Sequence, residues 1–362
     1  MFKPVDRLMR QGLLDNVFPG AVLLVSKNGR VIFFEAYGYA HPCKGSEMTR
    51  ETFFDLASLT KPLATTLAVM KLVQEKKITL DQNLATTLPL FKNTDKGGIT
   101  IRHLLSHSSG LPPYRPYYLE MHSVPPGNRQ ALLRGLLVKE ALVNPIGGKM
   151  VYSDLGFMIL AWLVETVSGR SFDGFVTGEI YHPLGLDDLF FIKTDPARSG
   201  KKIAVTELCP WRNLLLEGVV HDENAFVQGG IAGHAGLFGT AADIQKLLRT
   251  LAAAYHGECR GNIFQKDLVH QFFRRDPIIG RPLGFDAPSR TDSSCGRHFS
   301  DRSVGHLGFT GTSFWMDLMR SVIVVLLTNR VHPTRENIKI KTFRPKVHDM
   351  IMENVIGTPF PQ

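Results

Sequence analysis

Asp55-Leu56-Ala57-Ser58-Leu59-Thr60-Lys61-Pro62 is the stretch on which the reading of the chain turns. An extended apolar run ends here and a long amphipathic helix is expected to begin. Leu63, Leu67, Met70, Leu72 and Val73 recur at roughly helical spacing, and Ala64, Ala68 and Val69 fill the gaps, as in a largely buried helix. Ser58 falls in or just before the first turn. Lys61 lies three residues on, so both side chains point the same way. A hydroxyl is a poor nucleophile until something takes its proton, and a desolvated lysine can help. The helix start adds free N–H groups and the positive end of the dipole, which suit a developing oxyanion.

Ser-x-x-Lys alone is a weak signal, because about one copy is expected by chance in a chain of this size. A second copy, Ser199-Gly200-Lys201-Lys202, lies in a polar stretch with no strong helix after it and reads as a solvated loop. Only the Ser58 copy has the context the chemistry needs.

Working outward, 362 residues can bury a full core in one large domain or two lobes. Hydrophobic content of 44% and charged content of 21% mark an ordinary globular chain. The formal net charge of +9 favours anionic partners. No long basic run and no nucleic-acid module accompanies it, so an anionic small substrate, or a basic surface with no specific role, fits better than nucleic acid. Cys43, Cys209, Cys259 and Cys295 are far apart and form no C-x-x-C, so neither a disulfide framework nor a zinc ribbon is indicated. The N-terminus lacks the apolar core of a signal peptide, and Val5, Leu8, Met9 and Leu13 suit a short amphipathic helix. The longest apolar run, 322–327, is too short to span a bilayer. The expectation is a soluble, cytoplasmic protein without a membrane partner.

Upstream, two β-rich runs at 21–26 and 31–36 flank Asn28-Gly29, a strong hairpin signal. The first run is apolar throughout, as in a strand covered on both faces. From 62 to about 255 the chain reads as helices and long loops. Helices are expected near 100–107, 129–143 and 155–168, with Ser171 as the cap of the next. The aromatic loop 114–118 either walls a cleft or packs on the surface. The run Gly229-Gly230-Ile231-Ala232-Gly233-His234-Ala235-Gly236 has no Gly-Lys-Ser/Thr after it, so close backbone packing near a cleft fits better than a phosphate loop. Thr240 opens another helix. Strand-like runs return at 308–316 and 321–327, with 317–320 as the turn, and a last helix covers about 343–355. The β elements at both ends bracket a helical middle, which implies one sheet built from both chain ends.

Three stretches then combine: Ser58-Leu59-Thr60-Lys61, Tyr152-Ser153-Asp154, and His306-Leu307-Gly308. Their order and spacing resemble the serine β-lactamase and penicillin-binding protein superfamily, on the side of class C β-lactamases and related esterases and D,D-peptidases. The segments 100–111, 152–157 and 305–312 are also similar to recurrent family segments, and the resemblance covers nearly the whole chain. It implies an α/β (α+β) fold of the β-lactamase/transpeptidase type, an antiparallel sheet flanked by helices with an inserted, mainly helical lobe. The expected division of the single catalytic domain is an α/β lobe over about 1–57 and 256–362 and a helical lobe over about 58–255. The resemblance further implies that Ser58 attacks a carbonyl to form an acyl-enzyme. Lys61 and Tyr152 share the proton work, and the N–H groups of Ser58 and Phe309 form the oxyanion hole. Asp154, His306, Leu307 and Gly308 fall to substrate binding. No cofactor and no metal are required.

Two positions depart from the family pattern. The second motif usually ends in Asn, and here it ends in Asp154. Beside Lys61 its charge would favour the protonated lysine and leave Tyr152 as the main base. The third motif is commonly Lys-Thr-Gly. Here Leu307 offers no hydrogen bond and His306 is largely neutral at pH 7, so weak β-lactam hydrolysis is expected, with preference set elsewhere in the cleft. His103 and His107 lie at i, i+4, yet no Glu follows His103, which favours packing over zinc. His221-Asp222-Glu223-Asn224 and His234 read as organisers of loops beside the cleft.

The leading functional reading is a serine hydrolase that cleaves a small carboxylic ester or a D-amino-acid-containing peptide. A D,D-carboxypeptidase or weak class C-type β-lactamase is the runner-up among enzymes. A non-catalytic penicillin- or muropeptide-binding module is the alternative of a different class. The partner is a small molecule or short peptide, with anionic substrates suited to the charge.

Overall fold

The computed structural model describes residues 2–192, 201–258, 263–277 and 279–356. Ser199 of the second Ser-x-x-Lys and Cys259 lie outside the described residues. Among the described residues the strands are β1 Gly20–Lys27, β2 Arg30–His41, β3 Ser46–Glu47, β4 Phe54–Asp55, β5 Leu189–Phe191, β6 Leu208–Cys209, β7 Leu214–Leu215, β8 Leu237–Gly239, β9 Val304–Leu307, β10 Ser313–Asp317 and β11 Val322–Thr328. The main sheet is antiparallel and runs β3-β2-β1-β11-β10-β9, so its centre pairs the two ends of the chain. The β1–β2 turn places Asn28 and Gly29 at φ of 50° and 73°, the left-handed pair that a two-residue hairpin turn demands.

Alternation along the central strands divides the core. Ala21, Leu23 and Val25 of β1 join Val322, Val324 and Leu326 of β11 on one face, covered by the helices Lys3–Leu14 and Ile340–Ile356. Val22 and Leu24, with Ile323, Val325 and Leu327, face the larger core, against which the helix Ala241–His256 packs. This explains the unbroken apolar run of β1, since both of its faces are dry.

The C-terminal β region differs from the sequence reading. The run 308–316 is not one strand: β9 ends at Leu307, a turn occupies 308–312, and β10 begins at Ser313. Within that turn Gly311 sits at φ 107°, outside strand geometry, and Gly308 is packed where a methyl group would overlap the Thr312 hydroxyl.

A second small sheet, β4-β8-β5, positions the residues around Ser58. Phe54 and Asp55 pair with Gly239 and Phe238, so the strand entering Ser58 lies beside the strand leaving the glycine-rich run. The expected long helix is present in altered form. A 3-10 turn spans Ala57–Leu59, a wider π-type turn spans Lys61–Thr66, and regular α-helix runs only from Leu67 to Gln74. Pro62 has no N–H and its ring conflicts with the carbonyl four residues back, that of Ser58, so a regular α-turn is unavailable there. Among the described residues no single helix is long and apolar enough to cross a membrane.

Candidate functional site

Ser58 follows a backbone kink. Ala57 has a φ of 48°, rare for a residue with a side chain. Local bonds hold it: the Ala57 N–H donates to Asp55 Oδ1 at 2.8 Å, and the Thr60 hydroxyl donates to the Ala57 carbonyl at 2.7 Å. The other oxygen of the buried Asp55 carboxylate accepts from the His221 N–H at 2.6 Å.

Lys61 is fully buried, and its Nζ donates to Ser58 Oγ at 3.0 Å and to the His234 carbonyl at 3.0 Å. Asp154 Oδ1 lies 2.7 Å from the same nitrogen. Burial works against the charge on Lys61, but Asp154 and Tyr152 outweigh it and hold the amine above the ordinary lysine range. Lys61 is therefore a cation at neutral pH. The glycine-rich run supplies the backbone that closes this pocket. Thr65 donates to the Gly233 carbonyl at 2.5 Å, and a methyl group at Gly233 would overlap the carbonyl of Phe157.

Tyr152 precedes the helix Asp154–Ser168. Its ring lies 5.0 Å from Lys61 Nζ and packs, tilted by 33°, against His107 at 4.5 Å between centroids. The helix is capped by Ser153, whose hydroxyl accepts from Gly156, and not by Asp154, which is its first residue and is thereby free to turn to Lys61. His107 Nδ1 accepts from the Ser153 N–H at 3.0 Å, and the Ser153 hydroxyl donates to the Pro112 carbonyl at 2.7 Å. The segment 107–113 thus straps the Tyr152 motif in place. His103 accepts the Thr100 N–H in a capping box. No group of three or more His, Cys, Asp or Glu able to hold a metal occurs among the described residues.

His306 is buried in the same pocket, with its Nδ1 2.9 Å from the Leu307 carbonyl. Burial, reinforced by Arg281 and Lys61, holds it well below the ordinary histidine range, so it is uncharged. Leu307 is half-buried and Gly308 lies against the Leu56 carbonyl at the start of the turn. Phe309 is 49% exposed at the mouth. Ser58 and Phe309 line the same cavity.

Ser58, Tyr152 and residues 306–309 line one cavity of about 450 Å³. Arg281, Arg330, Arg335, Lys341 and Arg344 line it too, against one carboxylate, Asp286. Arg335 is neutralised by Glu207 and Glu223 at 2.5 and 2.6 Å. Arg330 and Arg344 have only carbonyl partners among the described residues. Burial, then Arg330, lowers Arg344 to about 10, which leaves it charged at neutral pH. Sequence reasoning missed these arginines. Each reaches the site across the fold, and a single arginine carries no local signal.

Asp222 and His234 complete the surroundings of Lys61. His234 Nε2 lies 2.9 Å from Asp222 Oδ1, which fixes the loop whose carbonyl Lys61 uses. Asp222 also caps the helix Glu223–Val227.

The family profile described as Beta-lactamase matches residues 5–348. The chain is 32% identical over 361 residues to an N-acetylmuramyl-L-alanine amidase of Bacillus subtilis (strain 168), covering 91% of this chain and 81% of the relative. It is 31% identical over 362 residues to an Escherichia coli (strain K12) protein named as a candidate D-alanyl-D-alanine carboxypeptidase, covering 91% and 82%. Among solved structures, EstCE1, a hydrolase with promiscuous acyltransferase activity, superposes with a TM-score of 0.74 at 23% identity, covering 95% of this chain and 98% of that one.

Proposed function

The chain belongs to the Beta-lactamase family of serine hydrolases, and from that premise we propose that Ser58, Lys61 and Tyr152 carry out acyl transfer from an anionic ester or peptide substrate to water. The observation that supports this reading is Ser58 Oγ at 3.0 Å from a buried lysine, in a cavity that Tyr152 and Phe309 also line. Ser58 Oγ adds to the carbonyl carbon while its proton passes to the Tyr152 oxygen. Lys61, kept cationic by Asp154, stabilises negative charge on that oxygen. The N–H groups of Ser58 and Phe309 receive the oxyanion. Tyr152 returns the proton to the departing alcohol or amine, and a water then repeats the sequence to release the acid.

Arg330, Arg344 and Lys341 give the cavity an excess of positive charge, which fits a carboxylate on the substrate better than a neutral ester. A peptidase or amidase reading, with a D-amino-acid-containing peptide or a muramyl peptide as substrate, draws support from the names of both relatives. A small carboxylic ester remains the alternative substrate.

Intact-protein mass spectrometry after exposure to p-nitrophenyl butyrate, and separately to a penicillin, tests the assignment with wild type and Ser58→Ala side by side. Ester turnover that depends on Ser58 is the expected result. A protein that neither labels nor turns over either reagent would overturn acyl transfer in favour of a binding module.

A further inference from the structure

Arg330 follows β11 by two residues and is buried without a carboxylate partner among the described residues. All of its bonding goes to carbonyls. Nε and Nη2 both donate to the Phe309 carbonyl, at 2.9 and 2.5 Å, and Nη1 donates to the carbonyls of Arg335 and Asn337 at 2.8 Å each. The guanidinium also lies 4.7 Å from the Phe309 ring centroid. Gly311 lets the turn pass this closely, since a Cβ there would sit 2.5 Å from Arg330 Cγ.

The same turn is held from its other side. The Thr310 hydroxyl donates to the Asp55 carbonyl at 2.8 Å and the Thr312 hydroxyl to the Leu56 carbonyl at 3.1 Å. These are the residues that lead into Ser58. Ser58 and Phe309 thus belong to remote parts of the chain that are tied together by two hydroxyls, while one guanidinium clamps the outer residue. A turn with Gly308 and Gly311 has little stiffness of its own.

We propose that Arg330 is a positioning residue for the oxyanion hole: its fork fixes Phe309, and Thr310 and Thr312 fix the turn's distance from Ser58, so that both N–H groups meet the oxygen of the reacting carbonyl. This rests on the acyl-transfer reading above. Donors help only when they stand about 2.7–3.1 Å from where the charge will develop, and a misplacement of about 1 Å can cost 10²-fold. A planar fork places two N–H groups on one oxygen in a fixed direction, which a lysine ammonium does not. The assignment also accounts for a buried cation whose partners are all main-chain oxygens.

The test uses neutral probes, so that Arg330's charge does not enter through substrate attraction. The kcat/KM for p-nitrophenyl butyrate and the Ki of n-butylboronic acid, which adds to Ser58 and presents a tetrahedral boronate to the hole, are measured across pH for wild type, Arg330→Lys, Arg330→Ala, Thr310→Val and Thr310→Ser. Arg330→Lys and Thr310→Val are expected to lower kcat/KM by about 10- to 100-fold and to weaken the boronate by a matching factor, with the pH profile in place. Free guanidinium ion at sub-denaturing concentration should recover part of the loss in Arg330→Ala, and Thr310→Ser most of the loss of Thr310→Val. If Arg330→Ala does not fold, the Thr310 pair and Arg330→Lys carry the comparison. An unchanged boronate Ki in Arg330→Lys and Thr310→Val overturns the proposal, including when activity falls through a smaller active fraction. Failure of the wild type to bind the boronate or turn over the ester through Ser58 would instead overturn the acyl-transfer reading itself.

Discussion

Asp154 Oδ1 lies 2.7 Å from Lys61 Nζ, and Lys61 has no contact with solvent. The amine is therefore a buried cation held against a carboxylate, which makes it a stabiliser of negative charge and a poor proton acceptor. Tyr152→Phe should lower acylation of p-nitrophenyl butyrate by about 10²–10⁴-fold at all pH values. Stopped-flow p-nitrophenol release measures it, and near-normal acylation would return the base role to Lys61.

Asp154→Asn removes the main group that holds Lys61 protonated against burial. Activity that needs the lysine cation is lost as pH rises through its pKa. That limb of the kcat/KM profile should move to lower pH in Asp154→Asn, and a limb that stays in place would show that the cation is not required.

Gly233→Ala drives a methyl group into the Phe157 carbonyl while the neighbouring His234 carbonyl holds Lys61. Overpacking of this kind costs about 1–3 kcal/mol. Urea unfolding should show that loss, and the remaining folded enzyme should acylate more slowly, because the Lys61 amine is displaced from Ser58.

Much of this was legible in the sequence, for identifiable reasons. The hairpin at Asn28-Gly29 and the doubly buried β1 are local signals of turn chemistry and alternation. The Ser58 stretch stood out by its context. The helix after it changed type because Pro62 acts on a carbonyl that a spacing argument does not weigh. The run 308–316 is interrupted by a turn in which Gly311 sits outside strand geometry. Arg330 was invisible because its partners are backbone atoms, which a sequence reading does not distinguish.

Leu307 has no hydrogen-bonding side chain and the buried His306 is uncharged, so residues 306–308 add no charged side-chain donor to the cavity. Penicillin should acylate Ser58 slowly in the wild type, as followed by mass spectrometry. Leu307→Thr restores one hydroxyl and should raise that rate by about fivefold to tenfold, the worth of one net hydrogen bond. Efficient cephalosporin turnover by the wild type would contradict this.

His348 is held at about 4 by burial, despite its bond to the Ser294 carbonyl. His107 and His306 are also held well below the ordinary value, in each case by burial first. Such groups bind protons more readily in the unfolded chain. Their contribution is fully present above about pH 6.5 and is lost as pH falls towards their folded values. For His348 alone the loss is roughly 3 kcal/mol between those limits. Urea midpoints should therefore fall steadily below pH 6.5, and His348→Asn should flatten the slope.

β1 pairs with β11 from Ala21↔Thr328 to Lys27↔Val322, so its neighbour is synthesised about 300 residues after it. At roughly 5–20 residues per second, a nascent chain carries that apolar strand with one edge unpaired for about 15–60 seconds. Loss of the last segment of the message would remove the middle of the sheet and not its rim. The central strand pair of the sheet therefore cannot form until residues 322–328 have been made, long after the first hairpin.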